Sequence, residues 1–343
     1  MKNNVVEPSK LVQTKVAIVI KCLNEEAHID AAISSARRAA EAVGGAVVLA
    51  DSGSTDRTIE IAVEHDINVV QLKRRSDASC GVGAQLGYQF VEADYVYIMD
   101  GDMEIDPAFL PQALAHLESR PDLAGVGGVF TEDGGDSYEY QRRRASAETT
   151  IAGMRPALNG GGLYRVACLG QDYLTNPNLH SYEEAELGLR LRLKGYKLER
   201  LPIVSVLHHG HTASTGALLM ARWRSGYLDG PGEWMASHGL RRGLLEIIDQ
   251  FKQYVVVALS WLISVAGLIG SFLTPTLLIL VPLPFALTCG YFLWRRKGLT
   301  EGWEGFVNMQ VRSFAMVRGL LRGQARPTNW VDAVVLRRAK VRS

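Results

Sequence analysis

The sequence predicts an α/β protein with a doubly wound, mostly parallel sheet, followed by a helical hairpin apolar enough to cross a membrane. Over the first 210 residues, short apolar runs alternate with helix-patterned segments. Between Lys252 and Arg295 no charged residue occurs. Strands without polar alternation are typical of parallel sheets that helices cover on both faces, which is the basis of the fold prediction.

Four strands are predicted in the N-terminal part, at residues 15–20, 46–50, 68–72 and 95–99. Helices are predicted between them at 25–43 and 55–65, and again from about residue 107. In doubly wound sheets, ligands bind beyond the carboxyl ends of the strands. Functional side chains are therefore expected directly after these strands.

The charge-free segment consists of two apolar runs, 254–273 and 277–294, separated by a turn at Pro275. At about 1.5 Å per helical residue, each run nearly matches the roughly 30 Å hydrocarbon thickness of a bilayer. We interpret the pair as a transmembrane hairpin whose second half is kinked at Pro282 and Pro284. The alternative is a helical hairpin buried in a soluble core.

Charge is distributed unevenly along the chain. From Arg295 onward the net charge is +8, whereas the preceding residues carry −7. Basic residues flank both ends of the hairpin, so the positive-inside rule predicts that body and tail face the cytoplasm at the inner membrane. Because the basic tail directly follows a span, we expect it to contact membrane lipids, and we expect no nucleic-acid partner.

The predicted domains are a body over 1–240, the hairpin with its flanks over 241–298 and a basic membrane-surface tail over 299–343. Within the tail, apolar residues recur at helical spacing from Trp303 to Arg322, with arginines between them. This pattern indicates an amphipathic helix on the membrane surface, although an ordinary helix docked on the body has the same pattern.

The second strand ends in Asp51-Ser52-Gly-Ser-Thr-Asp56. Exposed amides at the start of the following helix suit a phosphate, and a carboxylate at the strand end can bind a base or ribose. An ordinary capping turn has the same composition.

The fourth strand ends in Asp100-Gly101-Asp102. Two carboxylates so close together are costly unless a cation neutralises them. Oxygen ligands suit Mn²⁺ or Mg²⁺, so we predict a metal site here, with a solvated acidic turn as the alternative.

In order, these segments resemble inverting family 2 glycosyltransferases, which have a Rossmann-like GT-A fold. The resemblance covers about residues 15–211 and includes three further segments. These are Cys22-Leu-Asn24-Glu25-Glu26, then Asn159-Gly160-Gly161-Gly162-Leu-Tyr-Arg165, and finally Glu183-Glu184-Ala-Glu186-Leu187.

The resemblance implies a metal-dependent, hexosyltransferase-type enzyme that uses a nucleotide-sugar donor. Asp51 would contact the base, Glu25 or Glu26 would lie near the ribose, and Asp100 would lie near both ribose and metal. Asp102 would bind the metal directly. The expected nucleotide-sugar site comprises Asn24, Glu25, Glu26, Asp51, Ser52, Asp56, Asp100, Gly101, Gly161 and Gly162.

The resemblance places Glu184 where the family has its general base, usually an Asp. Ser181-Tyr-Glu183-Glu184 also fits a capping box, in which Glu184 would only cap its own helix and Glu183 would be the base. Three histidines, His208, His209 and His211, follow a predicted strand. One of them is implied to complete the metal site, with His209 favoured.

This sequence departs from the family pattern in the helix before the metal strand. Many relatives have an Arg-Asn pair there, whereas this chain has Gln85 and no arginine. Gln85 is a possible substitute for the amide, and Arg74 or Arg75 for the cation that contacts the diphosphate.

The hairpin suggests a membrane-bound hydroxyl acceptor, such as a lipid-linked saccharide in cell-surface polysaccharide or glycan assembly. Two other enzyme classes resemble this chain. Polyprenyl-phosphate glycosyltransferases need no base, and processive synthases carry a Gln before an Arg-Trp pair that this chain keeps only as Arg222-Trp223. A membrane nucleotide-sugar sensor without turnover is the non-enzymatic alternative.

Overall fold

The chain, seen in a computed structural model, is described over residues 10–134, 151–210, 214–296, 298–323 and 325–340. It divides into two compact units. The sheet unit comprises 1–218 and 327–343, and the hairpin unit comprises 219–326. His211 and Lys297 lie outside the described residues.

Within the described residues, the sheet unit contains one ten-stranded sheet. Its strand order is β10-β3-β2-β1-β4-β8-β6-β9-β5, with β7 paired to β9 off this path. The strands are β1 Val12–Cys22, β2 Ala46–Asp51, β3 Asn68–Leu72, β4 Val91–Asp100, β5 Met103–Ile105, β6 Leu123–Gly134, β7 Gly153–Met154, β8 Gly162–Arg165, β9 Lys197–Gly210 and β10 Ala333–Arg337.

Among the residues of this unit that the structure describes, five helices lie wholly within it: α1 Ile29–Glu41, α2 Thr58–Glu64, α3 Cys80–Tyr88, α4 Phe109–Ser119 and α5 Glu183–Leu193. Two apolar clusters, one on each face of the sheet, form its core. Both faces are covered because β1 is apolar without alternation, so Ile18 and Ile20 bury on one face and Ala17 and Val19 on the other.

The α/β prediction is confirmed, and the sheet is mixed. Strands β3, β2, β1 and β4 are parallel neighbours. Beyond β4 the short strand β8 runs antiparallel to both β4 and β6. Carboxyl ends of β1, β2 and β4 therefore meet at one edge, where Cys22 is in register with Asp51 and Lys21 with Asp100.

The last strand shows that the domain boundaries differ from those predicted. Residues 333–337 form β10, which pairs antiparallel with β3, so the chain returns from the hairpin unit into the sheet. Gln89 fixes this return, since its side-chain amide bonds both the N–H and the C=O of Val331. The predicted membrane-surface tail over 299–343 is therefore not a single segment, because residues 333–337 belong to the sheet. β-branched valines in this short segment complete a sheet edge instead.

The hairpin unit begins within α6 Thr215–Arg224, which crosses the division between the units. It continues with α7 Gly230–His238, α8 Leu244–Gln250, α9 Lys252–Ser271, a 3₁₀ segment Pro275–Leu280, α10 Leu283–Arg296 and α11 Leu299–Leu321. Lys252–Ser271 and Pro275–Arg296 are each long and apolar enough to span a membrane by length and composition. The second is divided near Pro282, as its prolines predict.

Exposure along these helices distinguishes a membrane hairpin from a buried one. Few side chains of either apolar segment are buried, and α9 buries only Val257, Ser260, Ser264 and Gly267. Ser264 donates a hydrogen bond to the carbonyl of Val281, which joins the two halves. A hairpin in the core of a soluble protein would bury its large apolar side chains, whereas in this hairpin they are exposed.

Helix α11 follows the same rule. It buries small residues, among them Gly302, Ser313, Ala315 and Gly319, and leaves Trp303 and Phe314 more than half exposed. Gln310 accepts a hydrogen bond of 2.7 Å from the indole of Trp261, which docks the helix on α9. The predicted amphipathic helix is therefore packed into its unit through its small residues, with its aromatic residues facing outward.

Candidate active site

The loops after β1 and β2 are joined by reciprocal hydrogen bonds. Asn24 has a φ of 59°. Its side-chain oxygen accepts a hydrogen bond of 2.8 Å from the backbone N–H of Thr55, and its backbone N–H donates one of 2.7 Å to Ser54 Oγ. The Glu26 amide likewise donates to Asp56 at 3.1 Å. These predicted site residues thus lie together at the strand ends and hold one another in place.

Asp51 is fully buried, and its bonds shape the turn after β2. Its Oδ2 accepts from the amides of Gly53 and Ser54 and from the Gln71 side chain, each at 2.9 Å. Its Oδ1 accepts from Ser54 Oγ. Ser52 is also buried, with its amide donating to the Cys22 carbonyl at 2.9 Å. Direct contact of Asp51 with a base stays a prediction, since these internal bonds occupy both oxygens.

The strongest feature of the cleft is Lys21, near the end of β1. Its Nζ lies 3.0 Å from Asp100 Oδ1 and 2.7 Å from Glu183 Oε1, and its side chain is 13% exposed. One ammonium group therefore joins the acidic end of β4 to the first residue of α5. The predicted donor-side and base-side carboxylates therefore lie close together rather than on separate faces.

Glu184 follows at the start of α5 and is held by the glycine-rich segment. Its Oε1 accepts a hydrogen bond of 3.0 Å from the Gly160 amide, and its Oε2 is buried without a hydrogen-bond partner among the described residues. The helix begins at Glu183 with Tyr182, at φ 66°, in the N-cap position. Glu184 thus bonds across the fold to Gly160, 24 residues away, rather than serving only its own helix end.

The glycines opposite Glu184 are needed for backbone conformation. Gly160 and Gly161 have φ of 82° and 120°, where side chains are strained. A Cβ on Gly161 would also lie 2.9 Å from the hydroxyl of Tyr97. The segment consequently turns its Gly160 amide toward Glu184 and enters β8 at Gly162.

Electrostatics in the cleft are dominated by buried carboxylates. Burial, then Asp102 and Asp100, raise the pKa of Glu25 to about 8. Burial is also the largest influence on Glu184, whose pKa is about 7 because Lys21 lowers it while Glu183 and Asp100 raise it. Raised pKa values for several acids in one region mark it as a candidate functional site.

The structure pairs Asp102 with His208. Asp102 Oδ2 lies 3.3 Å from His208 Nε2, and Glu132 lies behind the same ring, 3.9 Å from Nδ1. His209, which the sequence favoured, instead bonds Glu104 at 2.8 Å and stacks on His28 at 4.7 Å. Alternating side chains along β9 explain the difference, since neighbouring residues of a strand point to opposite faces.

A divalent ion fits this end of the cleft by donor chemistry. No group of three His, Cys, Asp or Glu side chains forms a complete metal site among the described residues. One carboxylate and one imidazole suit Mn²⁺ or Mg²⁺ when substrate oxygens supply the remaining ligands. After burial, the neighbouring carboxylates of Asp102 and Asp100 raise the pKa of Glu25, and a cation here would relieve that part of the effect.

Sequence reasoning missed one feature of the site, Lys21, and Gln85 is not free to act as the substitute amide. Lys21 was overlooked, although a lysine ending an apolar strand is itself a signal. Gln85 is 1% exposed, and its side-chain amide is hydrogen-bonded within the fold. It donates to the Asn329 carbonyl and accepts from the Leu174 backbone N–H. It is therefore occupied. Arg74 pairs with Asp77, while Arg75 is exposed and packs against Gly53.

A mixed sheet of this order, with acidic loops after β1, β2 and β4, defines a GT-A domain. Residues 17–173, a little under half of the chain, match the sequence model described as Glycosyl transferase family 2. The predictions of fold and family are therefore confirmed.

Curated relatives include the undecaprenyl-phosphate 4-deoxy-4-formamido-L-arabinose transferases of Salmonella paratyphi B and Salmonella newport. Each is 26% identical over 118 residues, which cover 33% of this chain and 36% of the relative. The match thus spans about a third of the length of these relatives.

Two solved structures share the fold over most of their length. The mannosyltransferase PcManGT from Pyrobaculum calidifontis, in complex with GDP-Man and Mn²⁺, has a TM-score of 0.56 and 15% identity. The similarity covers 92% of this chain and 89% of that one. S. aureus TarS 1–349 in complex with UDP-GlcNAc has a TM-score of 0.51 and 15% identity, over 91% and 93% of the two chains.

Proposed function

We propose that this protein is a membrane-anchored glycosyltransferase that moves a sugar from a nucleotide-sugar to a hydroxyl group of a lipid-linked saccharide, with inversion. The single observation that supports this best is the Lys21 bridge, because it brings the acidic end of β4 and the acidic start of α5 into one cleft. A donor and an acceptor can then meet between them.

On the donor side, Asp102 and His208 hold the metal, Mn²⁺ or Mg²⁺, and Glu132 orients the imidazole. The ion, when bound, supplies Lewis-acid stabilisation for the charge on the leaving diphosphate. The joined loops at Asn24 and Ser54 present the nucleotide pocket, with exposed Arg75 beside Gly53 as the cation for the donor. Two similar folds are solved with a nucleotide-sugar, one of them also with Mn²⁺.

On the acceptor side, Glu184 is the general base. Its Oε2 takes the proton from the acceptor hydroxyl as the oxygen bonds to the anomeric carbon. The bond between that carbon and the diphosphate oxygen breaks on the opposite face, and its electron pair leaves with the nucleoside diphosphate. A base with a pKa of about 7 suits this task, because it is available at neutral pH.

In this proposal the reaction takes place at a membrane, with the active site on the cytoplasmic side of the inner membrane. Two spans of sufficient length with exposed apolar side chains support the anchor. The undecaprenyl-phosphate transferases among the relatives support an acceptor that is itself lipid-linked.

Detergent-solubilised protein incubated with Mn²⁺ and a panel of nucleotide-sugars tests the proposal. We expect nucleoside diphosphate release that depends on both the metal and a lipid-linked acceptor. No transfer from any donor, with or without metal, would contradict it. Donor binding without turnover would indicate the sensor alternative.

A second candidate follows from the relatives: a sugar transferase whose acceptor is a polyprenyl phosphate. A phosphate acceptor is already ionised, so it needs no base. Comparing undecaprenyl phosphate with an undecaprenyl-diphosphate saccharide, in wild type and in Glu184→Gln, separates the two. Transfer to the phosphate that survives this substitution favours the second candidate.

A further inference from the structure

Lys21 contributes to the cleft beyond the roles proposed above. It is the next-to-last residue of β1, after a run of fully buried apolar residues, and it is in register with Asp100 of β4. Its aliphatic stem passes α3 at Gly83, where a Cβ would lie 3.0 Å from the Lys21 Cβ. A glycine at this point leaves room for the lysine to reach α5.

The ammonium group then meets two carboxylates from distant parts of the chain. Asp100 Oδ1 lies 3.0 Å from Lys21 Nζ. Glu183 Oε1, 162 residues after Lys21 in the chain, lies 2.7 Å from the same atom. The Glu183 side chain is only 8% exposed, so its charge has little water to stabilise it. A buried carboxylate without a partner is costly, and the lysine removes that cost.

We propose that Lys21 is a positioning residue that locks the first turn of α5 against β4 and thereby fixes the Glu184 carboxylate at the acceptor. The inference rests on the proposed function. Because Glu183 is paired with Lys21, it does not act as the general base. Glu184, the next residue, has one oxygen on the Gly160 amide and the other without a hydrogen-bond partner among the described residues.

The test compares Lys21→Met with wild type in the transfer assay, measuring kcat and the KM for donor and acceptor separately. Loss of an outer-shell partner typically costs about 10- to 100-fold. We expect a fall of this size in kcat and a smaller rise in the donor KM, because Lys21 pairs with Asp100 of the expected donor site, whereas the loops at Asn24 and Asp51 do not involve it. Lys21→Arg, which keeps the charge, should recover much of the loss.

Lys15→Met is the matched control. Lys15 lies on the same strand and forms a salt bridge with Glu118 at 2.8 Å, but both side chains are about half exposed and the pair is remote from the cleft. We expect its activity to equal that of wild type.

Coupling to Glu183 decides whether Lys21 acts through that residue. If it does, the double variant Lys21→Met/Glu183→Gln loses no more activity than Lys21→Met alone, because both changes break the same contact. If Lys21→Met does not fold, the double variant can be measured instead, because it also removes the unpaired Glu183 carboxylate. Glu183→Gln alone breaks the same contact, so its kcat also reports the loss of positioning.

Three outcomes overturn the inference while wild type remains active: an unchanged kcat in Lys21→Met, no recovery with Lys21→Arg, or fully additive losses in the double variant. Absence of transfer by wild type itself would instead refute the proposed function.

Discussion

Both units of the protein bury charged side chains, and they differ in how those charges are balanced. In the hairpin unit, the fully buried carboxylate of Asp229 is held by Arg318 and Arg322, and Arg318 also lies over the Trp223 ring at 4.0 Å. In the cleft of the sheet unit, Lys21 faces more than one carboxylate, and Glu25 and Glu184 keep raised pKa values.

This difference separates a structural charge cluster from a functional one. A carboxylate whose oxygens are all paired has no capacity left for a ligand, and it stabilises the helices that it joins. Carboxylates in excess over nearby cations lower stability, so they persist where a metal ion or a transferred proton makes use of them. Substitutions in the two clusters should therefore affect different properties.

The largest effect is expected for Asp102→Asn. Removing the carboxylate opposite His208 should reduce transfer by roughly a thousandfold or more and abolish stimulation by Mn²⁺, because the leaving diphosphate loses its stabilisation. The melting temperature should not fall, since one buried negative charge is removed. Asp94→Asn, at an exposed position of β4, is the control and should behave as wild type. Metal-stimulated activity in Asp102→Asn would contradict the metal assignment.

Glu184→Gln should lower kcat by about 10²- to 10⁴-fold, the usual contribution of a general base. Glu183→Gln should have a smaller effect, because Lys21 rather than the substrate is its partner. Equal losses in the two variants would leave the identity of the base undecided by activity alone, and the pH profile then separates them.

In wild type, kcat should fall as pH decreases through about 7, since protonation of Glu184 removes the base. Below that pH the decrease approaches tenfold per unit. The residual rate of Glu184→Gln should lack this dependence between pH 5.5 and 8.5. A profile of the same shape in Glu184→Gln would assign the titration to another group.

Arg318→Met tests the structural cluster. It leaves the buried Asp229 carboxylate with Arg322 alone, and we expect a loss of about 3 kcal/mol in unfolding free energy. Thermal unfolding in detergent measures this, and surviving protein should retain the donor KM of wild type. Arg295→Met, an exposed arginine bonded only locally to Tyr291, is the control and should change stability little.

The smallest effect is expected for Gln89→Ala, which removes both hydrogen bonds to the Val331 backbone. Two partly buried backbone groups of Val331 then lose their partners, so the sheet unit should lose about 1–3 kcal/mol. Gln112→Ala, on an exposed helix surface, is the comparison. Equal stability in both variants would mean that the returning segment does not stabilise the sheet.

The elements that the sequence predicted best have a strong local pattern. All four predicted strands are present, and that at 68–72 has the predicted bounds. The helix predicted at 25–43 begins later, at Ile29, because Asn24, Glu25 and Glu26 bond to the loop after β2 instead of extending the helix. Long-range hydrogen bonds of this kind override local propensity.

The sequence by itself determined the α/β class, the acidic loops at the strand ends and the two apolar spans, since each of these follows from residue type and short-range spacing. Only the tertiary structure decided that Lys21 joins Asp100 to Glu183, that His208 rather than His209 faces Asp102, and that residues 333–337 return to the sheet. Those contacts join residues far apart in the chain, and no local periodicity specifies which distant charge or strand edge a side chain will meet.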